Sequence, residues 1–199
     1  MNQKHDLEKV LAEGDMLFRQ QGYHNTGVEE ILNKTEFPRS SFYYHFKSKE
    51  GFAVRVLEYY VDGLVALMNS KFNDPSVSSS LQRLKNYFYL IADMNVNSEF
   101  NFCCNIQRFS IEEGSAPNLL QRATAKQFQR IFRLTLKCMQ AAQKEREVRS
   151  DILAEKLTRM LFDIIYGETT LSRADRLPEN FRSSLETFFL LIGNDPKSA

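Results

Sequence analysis

Tryptophan is absent from the 199 residues, and there are only three cysteines and three histidines. Each scarcity removes a class of chemistry. Cys103 and Cys104 are adjacent, a poor geometry for a framework disulfide, and Cys138 leaves the count odd, so a reducing compartment fits better than a stapled secreted scaffold. His5, His24 and His45 all precede the cysteines, and neither C-x-x-C nor H-x-x-x-H spacing occurs, so no metal and no cofactor is expected. A thiol enzyme built on Cys103 or Cys104 would lack a nearby base, and the chain reads as no enzyme. No apolar run reaches the roughly 18 residues of a membrane span, and the opening MNQKHDLEKV has no apolar signal core. The expectation is a cytoplasmic protein with no membrane partner. Charge of one sign is missing too. At a net +1 the chain has no global pull on a polyanion, so nucleic-acid binding must come from local patterning.

Rings are plentiful: sixteen Phe and eight Tyr. Their spacing is helical throughout. Leu7, Val10, Leu11, Leu17 and Phe18 mark a first helix that Gly22 stops. Thr26-Gly27-Val28-Glu29 has the form of a capping box opening a short second helix. Only Thr35-Glu36-Phe37 separates it from Pro38, which suits the first turn of a third helix. A long fourth helix runs from Ser48 to the loop Asn73–Ser80, and five more follow: one from Leu81, one that the irregular stretch Asn95–Asn101 and Phe102-Cys103-Cys104 lead into and that ends near Gly114, and others from Pro117 to about Arg149, from Ser150 to about Arg173, and from Pro178 to Ile192. The fold class is all-α with about nine helices. A three-helix helix-turn-helix unit at residues 1–48 precedes a larger helical body at residues 49–199.

The stretch PRSSFYYHFKSKE, Pro38 to Glu50, carries too many polar tips for a core helix and too many rings for a solvated one. A helix-turn-helix resolves the conflict, because its second helix lies in the major groove while helix ends hold phosphates. Phe42 and Phe46, four apart, form the inward face, and Arg39, Ser40, Ser41, Tyr43, Tyr44 and His45 turn outward. Arg39 can donate to guanine O6 and N7 or to a phosphate. His45 either caps its helix or reads a base. Thr26 and Lys49 stand beside the N-termini of helices two and four, where unpaired amides attract phosphate. Arg39, Lys47, Lys49 and Arg55 face one acid, Glu50, across this segment.

These residues resemble the N-terminal domain of the TetR/AcrR family of bacterial transcription regulators. The likeness lies in LFRQQGYHNTGVEEI, Leu17 to Ile31, and in Pro38 to Glu50. It implies a transcription regulator, a repressor, that binds a palindromic double-stranded DNA operator as a homodimer and leaves it when a small effector binds the C-terminal body. By position it implies phosphate contacts at Thr26, Tyr43 and Lys49 and a recognition helix carrying Arg39, Ser40, Ser41, Tyr44 and His45. Glu36 and Ser40 stand where many members have glycine.

Phe102-Cys103-Cys104 resembles the Gly-Cys-Leu segment at the start of helix six in one subgroup, some of whose members sense electrophiles or oxidants. The resemblance implies a small aromatic or electrophilic effector, with Phe100, Phe102, Cys103, Phe128 and Phe132 as candidate lining or sensing residues; the same rings could equally fill the core. Helices eight and nine carry Leu157, Leu161, Ile164 and Ile165, then Leu185, Phe188, Phe189 and Ile192. So apolar a face on terminal helices points to a subunit interface. The rival reading is a DNA-binding structural or division factor without a small-molecule ligand.

Overall fold

The computed structural model describes residues 3–99, 104–112 and 118–194, with side chains from residue 7 onward. Phe100, Phe102 and Cys103 lie outside the described residues. Nine helices and no strand are found among those described: α1 (Gln3–Gln21), α2 (Val28–Thr35), α3 (Arg39–Phe46), α4 (Lys49–Phe72), α5 (Ser80–Asn97), α6 (Asn105–Glu112), α7 (Leu119–Lys144), α8 (Ala154–Asp175) and α9 (Pro178–Ile192). None is long and apolar enough to cross a membrane.

The chain divides into two compact units, Met1–Leu64 with Cys103–Gln129, and Val65–Phe102 with Arg130–Ala199. Two of the cuts fall inside α4 and α7. Aromatic packing explains why the first unit keeps the start of α4. Phe52 on α4 sits 4.9 Å from Phe46, 5.1 Å from Phe42 and 6.0 Å from Phe18, centroid to centroid. A Cβ on Gly14 would come within 2.5 Å of the Phe52 ring, so glycine lets α4 close on α1. Phe109 of α6 completes the cluster, edge-on to Phe18 at 5.5 Å.

In the second unit α9 packs against α8 and α5. Phe189 meets Tyr89 edge-on, and Phe162 of α8 meets Phe88 and Phe132. The chain end is tied back by Arg149 N–H donating to Ile192 O and Asn194 N–H donating to Glu147 O, both at 2.9 Å. Helix α7 ends at Lys144, short of the expected Arg149, because Arg146 turns left-handed at φ 60°.

The apolar stripe expected at a subunit interface is spent inside the chain. Leu157, Leu161, Ile165, Leu185, Phe188, Phe189 and Ile192 are buried in the single subunit, and Ile164 is half-buried. The most apolar face of a helix goes first to its own core. A second, mixed face is left outside: Met160, Leu171, Leu190 and Leu191 are exposed.

Candidate DNA interface

Helix α3 divides its side chains cleanly. Phe42 and Phe46 are buried, whereas Arg39, Ser40, Tyr43 and Tyr44 are exposed and Ser41 and His45 half-exposed. Tyr44 is 72% exposed, which no packing role accounts for. Two left-handed residues frame the helix: Glu36 (φ 57°) after α2 and Lys47 (φ 66°) after α3. Glu36 occupies the turn position where glycine would have carried no steric cost.

The cations of the surface are held in place by local partners. The Arg39 guanidinium pairs with Glu29 of α2 and lies 5.8 Å from the Tyr43 ring centre. Lys47 donates to Tyr44 O at 2.8 Å and lies 5.3 Å from the Tyr44 ring centre. An exposed ion pair such as Arg39–Glu29 contributes little, so a phosphate or guanine can take Glu29's place at small cost.

Thr26 departs from the capping box. Its hydroxyl donates to Gly22 O at 2.6 Å, four residues back, and the residue is fully buried. Gly27, in extended conformation, opens α2 without a side-chain cap. Thr26 thus closes the end of α1 and offers no hydroxyl to a phosphate. The first turn of α2 also carries Glu29 and Glu30, which offset the positive helix end for any incoming anion.

Lys49, by contrast, is only half-buried at the edge of this surface. Its ammonium lies 4.5 Å from the Tyr23 ring centre and donates to His24 O at 3.3 Å. Burial pushes its pKa below the ordinary lysine value, and the Glu112 carboxylate pulls the other way.

Two carboxylates that pattern reading assigned no role hold this scaffold. Glu112, at the end of α6, accepts from Tyr23 N at 2.7 Å and His24 N at 3.2 Å and pairs with Arg108 at 3.0 Å. Beside it, Gly22 has φ +89°, and a Cβ there would lie 2.1 Å from a Glu112 oxygen. Glu50, within the quoted motif, accepts from Leu119 N and Leu120 N at 2.8 and 3.1 Å and so caps α7. Asn105 on α6 donates to Asp15 Oδ1 at 2.7 Å, deep in the same unit. Burial raises the Asp15 pKa, while Arg19 and Asn105 hold it down. Apart from the Arg108–Glu112 and Arg19–Asp15 pairs, four residues apart, these partners lie 69 to 90 residues apart in sequence, beyond any local pattern. Of the expected effector residues that are described, Phe132 is buried against Phe162 in the second unit and Phe128 is half-buried in the first.

Comparison with known proteins agrees with this geometry. Residues 10–56 match the family described as bacterial regulatory proteins, tetR family. The HTH-type transcriptional repressor DhaR of Mycobacterium sp. (strain GP1) is 26% identical over 182 residues, 92% of this chain and 89% of DhaR. The HTH-type transcriptional repressor NemR of Escherichia coli K12 is 45% identical over 56 residues, 28% of each chain. Among solved structures, a TetR regulatory protein from Rhodobacter sphaeroides superposes with a TM-score of 0.83 at 23% identity, covering 92% of this chain and 97% of its own. E. coli NemR in its reduced form superposes with a TM-score of 0.82 at 21% identity, covering 96% and 98%. With a tetR-family match over its helix-turn-helix, and with a repressor relative along most of its length, this chain is a transcriptional regulator whose N-terminal domain is of the tetR type.

Proposed function

We infer that the protein is a repressor that binds a palindromic operator as a homodimer and is released by a small effector or by thiol modification. The carrying observation is α3, whose apolar face is fully used by the core while Arg39, Ser40, Tyr43 and Tyr44 stand free of it on the outside. Lys47 and Lys49 add charge at its C-terminal side. Dimerisation is assigned to the exposed faces of α8 and α9, since the buried stripes of those helices are already occupied.

The test is operator titration by fluorescence anisotropy, using DNA from the promoter of the protein's own gene. Affinity is expected to fall steeply with salt as phosphate contacts release counterions. Arg39→Ala should cost about 1–3 kcal/mol and relax selectivity at one operator position. Lys49→Ala should weaken all sequences alike. Glu29→Gln should tighten binding several-fold at low salt, about 0.5–1 kcal/mol, because it frees Arg39 and removes a negative charge beside the phosphates. A protein that binds no such DNA at any salt, or an Arg39→Ala variant of unchanged affinity and selectivity, refutes this reading.

Thiol release is assigned to Cys103 by its position before α6. Modification adds bulk and polarity two residues in sequence before a helix that Asn105, Arg108 and Glu112 bond to α1 and the α1–α2 turn. A quinone or hypochlorite should release the operator from the unmodified sequence and leave Cys103→Ser bound. Equal release from both assigns the switch to a reversible ligand instead.

A further inference from the structure

In the second unit, the last turn of α4, the start of α5 and the C-terminal half of α7 surround a cavity of about 280 Å³. Phe72, Leu134 and Ala141 form an apolar wall, and Asn69, Arg83 and Lys137 a polar one. The volume sits at the lower edge of the roughly 300–1,000 Å³ usual for ligand pockets, which suits a small molecule.

Charge decides the kind of molecule. Arg83 donates through Nε to Val77 O at 2.7 Å, which fixes the guanidinium at the cavity wall. Lys137 has no carboxylate within ion-pair distance among the described residues. It belongs to a one-sided stretch of α7, since Arg130 to Lys144 includes four cations and no acid. Arg130, Arg133, Lys137 and Lys144 follow at spacings of three, four and seven, so they share a helix face. In a chain of net charge +1 that is a strong local field.

Three acids neighbour these cations, and each is also held by hydrogen bonds of its own: the charges of Asp74 and Glu145 act on Arg83, and Asp74 accepts from Ser76 N and Oγ at 2.9 and 2.6 Å. Glu145 accepts from Ser80 N and Oγ at 3.0 and 2.9 Å, and Glu147 accepts from Leu81 N at 2.9 Å, so both cap the start of α5. Cys138, also in the wall, donates to Ser80 O at 3.4 Å. Burial pushes its thiol up to about 12, so it adds no negative charge near neutral pH.

We propose that this cavity binds a small organic anion, a carboxylate with a short apolar body, its head between Arg83 and Lys137 and its body against Phe72 and Leu134. An inorganic anion would leave the apolar wall unused, and a neutral molecule would leave Lys137 without a counter-charge. The site is separate from the rings Phe128 and Phe132 and does not depend on operator binding.

Calorimetric titration of the full chain with benzoate and hexanoate, beside benzamide, hexanamide and inorganic phosphate, tests it without DNA. The carboxylates should bind saturably at one site, at least about tenfold more tightly than their amides, as charge-assisted hydrogen bonds require. Lys137→Gln, at an exposed position that folding does not need, should weaken the carboxylates about tenfold and leave the amides unchanged. Ala141→Phe, which fills the cavity, should abolish binding while the helical circular dichroism is retained. Equal binding of acid and amide, undiminished binding by either variant, binding of phosphate alone, or no saturable binding overturns the proposal.

Discussion

Replacing Gly22 by alanine should lower the stability of the first unit by about 2–4 kcal/mol and weaken operator binding with it. Two costs combine. Gly22 sits at φ +89°, a conformation that costs a side-chain-bearing residue about 1 kcal/mol or more. The added methyl would also meet the Glu112 carboxylate at 2.1 Å. A carboxylate at the end of a flexible side chain can swing aside, so collision alone is cheap. The larger cost is what Glu112 abandons: the Tyr23 and His24 amides and its pair with Arg108. Hydrogen bonds to a charged group are worth about 1.5–3 kcal/mol when buried, and less here because His24 is exposed. For a chain of this size the melting midpoint should fall by about 5–12 °C. Glu112→Ala should destabilise by a similar amount, and the double variant by less than the sum, since each substitution removes the same contact. Strict additivity, or a Gly22→Ala midpoint within a degree of the parent, would show that the carboxylate does not hold this turn.

That contact also marks the limit of what the pattern of residues discloses. Helix positions and inward faces were legible because they follow from spacing: Phe42 and Phe46 four apart, Gly22 at a helix end, Pro38 ahead of α3. The outward face of α3 was legible for the same reason, as the complement of a buried face. Thr26 was misread because its hydroxyl had two local partners within reach, the α2 amides ahead and the Gly22 carbonyl behind, and sequence cannot rank them. Glu112 and Glu50 gave no local signal, because each acts on amides brought close only by folding. The expected subunit stripe failed on a different ground. Strong helical amphipathicity identifies the face a chain buries in itself, so the face left for a partner has to be sought among weaker, mixed positions.

On α8 those positions are Met160, Ile164, Gly167 and Leu171, at spacings of four, three and four, which keep them on one side of the helix. Apart from its own stretch of helix, nothing among the described residues lies within 4 Å of where a Gly167 side chain would begin, so a partner helix can approach the backbone there. On α9 the outward residues include Thr187, Leu190 and Leu191, with the two leucines 79% and 66% exposed. Their side chains contribute little to the subunit's own core, so replacing them tests association and not folding. Leu190→Asp with Leu191→Asp should leave the melting midpoint of the isolated subunit nearly unchanged while placing two unpaired carboxylates where a second copy would bury them. Central interface residues commonly cost about 2–4 kcal/mol each when lost, and buried unpaired charges cost more. Sedimentation should then show a monomer at micromolar concentration for the variant and a dimer for the parent. Operator affinity should fall further than any substitution on α3 can make it fall, by about 10²–10⁴, because each head loses the effective concentration supplied by its partner. A half-site oligonucleotide supplies the control: the parent and the double variant should bind it equally weakly. A variant that remains dimeric, or that binds the full palindrome as tightly as the parent, would place the subunit interface on another face.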